Sequence, residues 1–600
     1  MLWLYLLALP VIYTLNSITS LLHNRSLARK TNLPYIIWPF FEANLFYLAL
    51  WGTRWFPYIV NQWLPESIAD HVNDSVFRAR WDVKDRMAKR YGGVYLYVTP
   101  GGISYNIADA DVVSQICKAR QNFVKPVKHL EAFDMYGSSI FTTEGSQWTQ
   151  HHRATAPAFN DKNNALVWTE SIRQAREMTC YWSEKYSNDE RYGSSFALPD
   201  AREDILKLSV NVICSAGFGV KLPFKPAPEG RADVAEDLFM DAVTPASGYR
   251  FTFRSVMEYM NRSMMTVFIA NGVLPKWIPH SVLPFFKKDY DAHRDLGSYL
   301  QTLVKKAEIN DNETHNLLER VVHSRREEQN SSNKRNPGLS DAEILGNVYI
   351  FSIAGHETTA TTLRFALALL AIHGDVQEEL HQELRSVLDS EPADPAEWNY
   401  ATVYLRLISP LCIMLETLRL YSPVVSIPKL TASSGADLTY NEQTHHLPPN
   451  VRVNLNGSAL HQTERYWGPE ANIFDPRRWD KRNSDSFLAQ NDGVEGLSGP
   501  GLESHEIHRP VRGAYIPFSD GIRACMGKKF AQVEFVAVLA FIFRQYRVTP
   551  GKQQGESDED ARKRVERALR GSSTSLTLAT MDEVPLTFHR RGCCLSVLGC

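Results

Sequence analysis

The chain begins with an almost unbroken apolar run. Residues 2–22 carry no charged side chain and are numerous enough to cross a bilayer as a helix. The run lacks the basic n-region and the small-residue cleavage site of a signal peptide. A basic stretch, residues 23–30, follows at once, and the positive-inside rule then leaves the rest of the chain in the cytoplasm. We therefore predict a transmembrane anchor over residues 1–22, with a buried core helix as the alternative.

A second stretch, residues 35–63, is rich in aromatic residues. It is interrupted by Glu42, Arg54 and two prolines, which do not suit a helix that crosses a bilayer. Its Trp and Tyr side chains suit the headgroup level of a membrane. We predict that residues 23–66 form a membrane-proximal, interfacial segment. The alternative, a second full span, would return residues 67–600 to the lumen.

Strand and helix patterns alternate through the main domain, predicted over residues 67–600. Two β-rich runs, residues 94–98 and 103–107, flank a Pro-Gly-Gly turn and predict a hairpin. Ser340-Asp-Ala-Glu343 is a capping box that opens a helical pattern extending to about residue 373, on the order of 50 Å long. An apolar run, residues 530–543, predicts another helix. The predicted fold class is mainly α with small β-sheets (α+β).

Composition narrows the choice of partners and compartment. The 600 residues are 44% hydrophobic, enough for a large core, and their net charge is −2 with a pI near 6.8. No basic excess indicates a nucleic-acid partner. The eight cysteines, scattered except at the C-terminal tail, do not form the pattern of a disulfide framework, which favours a reducing compartment.

One cysteine lies in a glycine-punctuated loop directly before the helix predicted near the C-terminus. The loop sequence is Phe518-Ser-Asp-Gly521-Ile-Arg523-Ala-Cys525-Met-Gly527. The glycines allow a tight turn and close packing, and the amide groups at the helix start favour the thiolate of Cys525. No second cysteine lies within five residues, which argues against a zinc knuckle. The residues alone leave open a nucleophile, a metal ligand or an inert buried thiol.

The loop matches F-x-x-G-x-R-x-C-x-G in full and resembles the haem-ligand signature of the cytochromes P-450. The resemblance implies that Cys525 is the axial thiolate ligand of a heme b iron, a ligand that favours O–O cleavage. It also implies that Arg523 pairs with a haem propionate and that Phe518 packs beside the thiolate. Gly521 and Gly527 would shape the loop.

A second motif lies in the middle of the long helix that begins at the capping box. Its sequence is Ala354-Gly355-His356-Glu357-Thr358. Ala354 and Thr358 are one turn apart, and Gly355 removes a side chain where the backbone would approach a flat cofactor. By resemblance, this helix crosses the distal haem face, where Glu357 and Thr358 deliver protons to bound dioxygen. The alternatives are a solvated polar face and a zinc-protease helix, whose second ligand is missing because residue 360 is Ala.

Three further side chains occupy positions that bind haem propionates in the family. Trp148 and His152 lie four positions apart on a predicted helix, and His151 shares their face. The family carries a basic residue four positions after the Trp; here it is His, and Arg153 comes one residue later. Lys429 lies in a predicted strand of the substrate pocket, where the family often has Arg. The alternative for the adjacent histidines is a solvated helix face.

A charged cluster completes the family pattern. Glu416 and Arg419 form an E-x-x-R pair, and a Pro-Arg-Arg-Trp sequence containing Arg478 follows. The resemblance implies a Glu-Arg-Arg cluster, with Arg478 rather than Arg477 as its third member, that fixes the cysteine loop and does no chemistry. Replacing Arg419 should then lower haem incorporation. By itself, an E-x-x-R pair is common on exposed helices.

Together the motifs cover residues 67–590 in family order and imply a fungal microsomal cytochrome P-450 fold. The implied location is the endoplasmic reticulum membrane, with membrane lipid around a single span and a cytosolic catalytic domain. The implied reaction activates dioxygen and inserts one oxygen atom into an apolar small molecule, as fungal members often do in secondary-metabolite biosynthesis. Electrons would come from NADPH–cytochrome P-450 reductase, because no flavin domain is appended.

Two other functions fit the same motifs. The haem site could couple phenols oxidatively without inserting oxygen. Alternatively, the chain could be a non-catalytic membrane haem-binding protein, against which the intact Glu357-Thr358 pair argues. Lys528 and Lys529 follow the cysteine loop and would suit an acidic electron-transfer partner, although two lysines at a helix start are ordinary.

Overall fold

The computed structural model describes residues 2–42, 44–51, 53, 55–187, 195–225, 239, 244–273, 283–309, 316–330, 338–483, 506–574 and 577–592. Only the backbone is described for residues 2–10, 45, 48, 49, 261, 265, 272, 273, 327–330 and 483. The chain divides into two compact units. Unit 1 comprises Met1–Pro126, Leu415–Cys525 and Arg567–Asp582, and unit 2 comprises Val127–Met414, Met526–Glu566 and Glu583–Cys600.

Helices provide most of the secondary structure, as the sequence pattern predicts. The described α-helices are α1 Leu2–Lys30, α2 Leu45–Trp51, α3 Trp55–Trp63, α4 Glu66–Asp74, α5 Arg80–Val83, α6 Arg86–Tyr91, α7 Ala110–Lys118, α8 Gly145–Thr155, α9 Asp161–Tyr186, α10 Arg202–Val212, α11 Phe253–Arg262, α12 Met264–Phe268, α13 Lys287–Ile309, α14 Leu317–Asn330, α15 Asp341–Ile372, α16 Gly374–Leu388, α17 Tyr400–Val403, α18 Ile408–Leu420, α19 Gly457–Leu460, α20 Glu464–Trp467, α21 Lys528–Gln545 and α22 Asp558–Arg570.

Short strands form small sheets in both units. The described strands are β1 Tyr35–Ile37, β2 Val94–Thr99, β3 Gly102–Ile107, β4 Phe123–Val124, β5 Ser195–Leu198, β6 Ser426–Thr431, β7 Ala436–Tyr440, β8 Gln443–Leu447, β9 Arg452–Asn456, β10 Tyr546–Pro550, β11 Ser573–Thr574, β12 Leu578–Ala579 and β13 Leu586–Arg590. The prediction of a mainly helical body with small sheets is therefore confirmed.

Unit 1 is built on a six-stranded sheet in the order β1-β2-β3-β9-β6-β4. The β1–β2 and β3–β9 pairs are parallel, and the other neighbours are antiparallel. The predicted hairpin is β2–β3, with Val94 opposite Ile107. Its β-branched and aromatic residues are buried, and they pack with α7 and the end of α1 in one hydrophobic cluster.

The predicted apolar helix is the first part of α1, a helix of 29 residues. Its C-terminal part packs on unit 1, where Ala28 is fully buried and Asn24 Nδ2 donates to the Thr99 carbonyl at 2.8 Å. Farther toward the N-terminus, its apolar side chains from Val11 to Leu22 are mostly exposed. Within the described ranges, no single helix combines the length and apolar composition of a membrane span.

The predicted membrane-proximal segment is tied to unit 1 by buried charges. Glu42 forms ion pairs with Arg80 at 3.3 Å and with Arg452, and it accepts a hydrogen bond from Asn454. Arg80 is 1% exposed and also pairs with Asp74. Glu42 is therefore balanced within unit 1, by one cation from helix α5 and one from strand β9.

Unit 2 contains α8 to α17, α21 and a three-stranded sheet in the order β10-β13-β5. Helix α15 begins with both hydrogen bonds of the predicted capping box and ends at Ile372, with His373 as its C-cap. The predicted C-terminal apolar helix is α21, which is buried along most of its length. Cys180 on α9 is disulfide-bonded, contrary to the expectation from the scattered cysteines. The C-terminal cysteines lie outside the described residues.

Candidate functional site

The cysteine loop of unit 1 is held by its own backbone. The Cys525 N–H donates to the Phe518 carbonyl at 2.8 Å, and the Ala524 N–H donates to the Gly521 carbonyl at 3.0 Å. Cys525 is exposed, whereas the other free cysteines of the described chain are buried. An exposed sulfur in a closed loop is available to a ligand, so the buried-thiol alternative does not describe Cys525.

The two loop glycines differ in what they do. Gly521 has a φ of +71°, and a Cβ there would lie 2.7 Å from the carbonyl oxygen of Cys117. The loop therefore requires glycine at this position. Gly527 is the N-cap of α21 with a φ of −77°, which any residue adopts. The expectation that Gly527 supplies unusual backbone freedom is wrong for that reason.

Two cationic side chains of unit 1 belong, with Cys525, to the residues predicted to bind haem. Lys429 lies on β6 and is 8% exposed, and Arg523 is half-buried in the short helical turn before Cys525. The pKa of Cys117 is raised to about 11 by burial, and the charge of Lys429 opposes the shift. Lys429 thus acts electrostatically on the helix, α7, against which the loop is packed.

The predicted charged cluster is assembled around Glu416, with no exposed side chain among its three members. Arg419 donates to both carboxylate oxygens at 2.8 Å, and Arg478 Nε donates to Oε1 at 3.0 Å. The Trp479 indole and the Asp475 N–H each donate at 2.9 Å. Burial alone raises the pKa of Glu416, but the two arginine charges outweigh it and lower the pKa to about 2. Glu416 is therefore ionised and saturated with donors.

The sequence prediction identified the three charges but missed the groups around them. Arg478 is the arginine that contacts Glu416, as predicted, whereas Arg477 has a 40% exposed side chain that lies 3.7 Å from Asp475. Trp479 follows in the same Pro-Arg-Arg-Trp sequence, so its indole could have been anticipated. His461, whose carbonyl accepts from Arg419 at 2.7 Å, had no local sequence signal.

In unit 2, the middle of α15 opens to solvent although most of the helix is buried. Ala354 is exposed, and Glu357 and Thr358 are half-buried. Thr358 Oγ1 donates to the Ala354 carbonyl at 2.9 Å, as expected for residues one turn apart. A hydroxyl and a carboxyl are therefore consecutive along the less buried middle part of α15, although the Oε2 atom of Glu357 is itself buried.

Gly355 and His356, which precede Glu357 and Thr358 in the motif, pack against the protein interior. A Cβ on Gly355 would meet Ile213 at 3.3 Å, so this glycine accommodates a packed side chain rather than a cofactor face. His356 is buried and bonded to the Ser352 carbonyl, and burial lowers its pKa to about 4. In the part of the chain that the structure describes, no group of three His, Cys, Asp or Glu side chains could hold a metal ion.

Helix α8 carries the predicted Trp148 and His152. Trp148 is buried, His152 is half-buried, and their rings lie 4.9 Å apart. His151, between them in space and sequence, is fully buried and faces α15 instead, where Asn347 Nδ2 lies 2.8 Å from its Nδ1 and Glu343 3.4 Å from its Nε2. The solvated-face alternative is therefore wrong for His151.

The segment before α8, at residues 137–140, meets the first turns of α15. A Cβ on Gly137, whose φ is +142°, would overlap the Ala342 carbonyl, and one on Gly346 would overlap the Gly137 carbonyl. The Ile140 N–H donates to Asn347 Oδ1 at 2.9 Å. These contacts fix the end of the segment to the helix that carries Thr358.

Comparison with known proteins assigns the family. The family model described as Cytochrome P-450 matches residues 75–574. The chain belongs to the cytochrome P-450 family. It is accordingly an oxidoreductase of the cytochrome P-450 monooxygenase type, with haem as cofactor and with electrons supplied by a redox partner for the use of dioxygen.

Fungal relatives and a solved structure agree with this assignment. A cytochrome P-450 monooxygenase of Arthrobotrys oligospora is 28% identical over 578 residues, which cover 94% of each chain. The phomenoic acid biosynthesis cluster cytochrome P-450 monooxygenase of Leptosphaeria maculans is 22% identical over 491 residues, 77% of this chain and 76% of the relative. The haem domain of cytochrome P450DA matches the fold with a TM-score of 0.60 at 19% identity, covering 84% of this chain and 91% of that domain.

The predicted contact set has the chemistry that a haem requires. Cys525 offers an exposed sulfur, and Arg523 and Lys429 offer cations suited to carboxylates. Trp148 and His152 offer ring N–H groups, which also suit carboxylates. The residues present in the cytochrome P-450 therefore fit the cofactor that the family uses.

Proposed function

We propose that this cytochrome P-450 is a haem-thiolate monooxygenase that hydroxylates an apolar small molecule, with Cys525 as the axial ligand of the haem iron. The observation that carries the proposal is the exposed sulfur of Cys525, in a loop closed by the Phe518 carbonyl. Bound haem would supply the redox centre at which dioxygen is activated. The thiolate would donate electron density to that centre.

The remaining predicted residues hold the cofactor and prepare the site. Arg523 and Lys429 in unit 1, and Trp148 and His152 in unit 2, would bind the haem propionates. Phe518 would pack beside the thiolate. The paired arginines around Glu416 support the proposal, because a ligand loop needs a rigid base.

Proton delivery falls to Glu357 and Thr358. The Thr358 hydroxyl rests on the Ala354 carbonyl at 2.9 Å, so it must turn away from that carbonyl to hand on its proton. The half-buried Glu357 carboxyl, one residue earlier, can take up a proton from water and return it to the hydroxyl. This division of roles needs both side chains at the open part of α15.

We further propose that the chain is held at the endoplasmic reticulum membrane by a single span over residues 2–22. Exposed apolar side chains on α1 support the span, as do those on α2 and α3, which include Phe46, Trp55 and Trp63. The buried ion pairs of Glu42 argue for an interfacial segment over a second span. The catalytic domain would then be cytosolic and in contact with membrane lipid.

NADPH–cytochrome P-450 reductase is the proposed electron donor. Of the two lysines predicted to meet it, Lys529 lies with its Nζ 4.2 Å from the centre of the Tyr404 ring, and burial lowers its pKa to about 8. Lys529 is therefore engaged within unit 2, and Lys528 is the better candidate for a charge that meets the reductase.

The proposed substrate belongs to fungal secondary metabolism. The name of the Leptosphaeria maculans relative, which places that protein in a biosynthesis cluster, supports this class. An apolar substrate suits the open part of α15, which is flanked by apolar residues such as Ile353. Phenol coupling at the same haem would leave dioxygen-derived oxygen out of the product.

The first test is the absorbance of the reduced, carbon monoxide-bound protein. A Soret band shifted far to the red in the wild type, and its loss in Cys525→Ser, are the expected results. A globin-like band in intact wild-type protein would overturn the proposal. Turnover with reductase under labelled dioxygen then separates the alternatives: labelled product supports oxygen insertion, unlabelled product supports coupling, and no turnover with any substrate of the proposed class supports a non-catalytic haem protein.

A further inference from the structure

His461 lies between the Glu416 cluster and the cysteine loop, all within unit 1. It is fully buried. Its backbone carbonyl accepts from Arg419 Nη1 at 2.7 Å, and its imidazole Nε2 accepts the Ile516 N–H at 2.9 Å. One residue therefore contacts the cluster through its backbone and, through its side chain, the segment that leads into the loop.

Ile516 is the point from which the loop turns. Its carbonyl accepts the Ser519 N–H at 3.0 Å, and Ser519 has a φ of +61°, in the left-handed region that a serine rarely adopts. Such a conformation persists only when its surroundings fix it. Phe518, just before Ser519, supplies the carbonyl that accepts the Cys525 N–H. The position of Ile516 thus sets the geometry that closes the loop on Cys525.

The imidazole is suited to this task because it is neutral. Burial and, to a smaller extent, the positive charge of Arg419 together lower the pKa of His461 to about 3. A neutral ring that accepts at Nε2 carries its proton on Nδ1, so the tautomer is fixed. The imidazole also packs against the Tyr515 ring, at 5.2 Å between ring centres and a tilt of 38°, which restricts its orientation.

We propose that His461 is the positioning residue through which the Glu416–Arg419–Arg478 cluster sets the register of the cysteine loop, by accepting the Ile516 N–H. Tyr515, the residue before Ile516, makes side-chain contacts beside the cluster: a ring contact with Trp479 at 4.7 Å and a hydrogen bond from its hydroxyl to the Leu415 carbonyl at 2.9 Å. These side-chain contacts leave the backbone register undetermined. The inference rests on the proposed role of Cys525 only for its spectroscopic consequence. Its structural part concerns only the backbone N–H groups of Ile516 and Cys525 and the hydrogen bonds that they donate.

The test compares two variants of the full chain, His461→Gln and His461→Phe. Glutamine can present Oε1 where the histidine presents Nε2, whereas phenylalanine keeps the ring and removes the acceptor. Both keep the backbone carbonyl that binds Arg419. The matched control is His445→Gln, because His445 is another buried histidine of unit 1 that bonds to a backbone carbonyl, that of Thr31, away from the loop.

Two measurements report the result. Amide hydrogen exchange of peptides covering residues 513–526 should be at least about tenfold faster in His461→Phe than in the wild type, and near wild type in His461→Gln and His445→Gln. In the haem-loaded proteins, the fraction of the red-shifted carbon monoxide band should fall in His461→Phe and recover in His461→Gln.

The outcomes separate this inference from the proposed function. Equal exchange in His461→Phe and wild type would overturn the positioning role, as would equal disturbance in the Phe and Gln variants. If His461→Phe does not fold, the His461→Gln variant still tests the positioning role. That role requires His461→Gln to show wild-type hydrogen exchange and a wild-type carbon monoxide spectrum. A globin-like band in wild type would refute the thiolate proposal while leaving the exchange comparison intact.

Discussion

Two glutamates, one in each compact unit, are completely buried yet have pKa values shifted in opposite directions. Glu416 in unit 1 has its pKa lowered to about 2, because two arginine charges outweigh its burial. Glu534, on α21 in unit 2, has its pKa raised to about 8 by burial, which only the Ser209 hydroxyl opposes, donating to Oε1 at 2.6 Å. Its Oε2 has no hydrogen-bond partner among the described residues.

The difference shows that the donors around a carboxyl, rather than its depth, decide its charge. The Glu416 cluster is built from paired ions and holds a loop in place. Glu534 is a neutral acid below about pH 8 and needs no counterion. Their pH dependence is therefore opposite: stability from Glu416 is present above its ordinary pKa and is lost as the pH falls through about 2, whereas that from Glu534 is present below 4.5 and is lost as the pH rises through about 8.

The largest effect is expected from Glu416→Gln. The substitution leaves Arg419 and Arg478 buried without their shared carboxylate, which should lower the free energy of unfolding by about 3–5 kcal/mol. Haem content per protein should fall with it, as predicted for Arg419→Ala. Both are measured by urea unfolding and haem absorbance, with the exposed Glu470→Gln as control. Normal haem content in Glu416→Gln or Arg419→Ala would contradict the structural role of the cluster.

The substitution Glu534→Gln should increase stability at high pH, whereas Glu416→Gln should decrease it. Because the pKa of Glu534 is raised from 4.5 to about 8, the wild type should lose about 1.4 kcal/mol per pH unit across this window relative to the variant. The variant should therefore unfold at a higher temperature at pH 8 and at a similar one at pH 4.5. Melting curves of both haem-loaded proteins across that range provide the measurement, and parallel curves would show that Glu534 is not a neutral buried acid.

Thr358→Ala tests the open part of α15. We expect haem content to be unchanged and product formation to fall about 100-fold, because the hydroxyl that relays protons is lost. Thr359→Ala is the matched control, since Thr359 Oγ1 also bonds to the carbonyl four residues earlier but is buried. Equal turnover in Thr358→Ala and wild type would remove Thr358 from the mechanism.

The smallest effect is expected from Ser340→Ala at the start of α15. Burial raises the pKa of Glu343, but the backbone and hydroxyl of Ser340 and the neighbouring His151 outweigh it and lower the pKa. Removing the hydroxyl should reduce stability by about 1 kcal/mol. Urea unfolding at neutral pH measures the loss, and Ser340→Asp, which retains a cap, should recover most of it.

Local sequence signals predicted the elements that depend on neighbours along the chain. The capping box at Ser340 and the apolar pattern after it predicted α15 to within a residue or two. The same holds for α21 and the β2–β3 hairpin. The resemblance to the family pattern, in which the arginine directly precedes an aromatic residue, selected Arg478 over Arg477.

Contacts between distant residues could not be predicted in this way. His461 and Ile516 are 55 positions apart, and nothing near either one indicates the other. Gly346 must be glycine because a Cβ there would overlap the carbonyl of Gly137, which is 209 positions earlier. The neutral state of Glu534 could not be predicted from the sequence either. It depends on the burial of the carboxyl and on a hydrogen bond from Ser209, which is 325 positions away.

The position of β1 at the edge of the unit 1 sheet determines how the protein can be shortened for production without its proposed anchor. A version that begins at residue 67 would lack β1, which forms the edge of the sheet beside β2. It would also leave Arg80 and Arg452 without the carboxylate of Glu42. A cut just before Asn24 removes the exposed apolar part of α1 and retains these contacts. The shortest well-folded version therefore includes most of the segment that sequence patterns assign to the membrane surface.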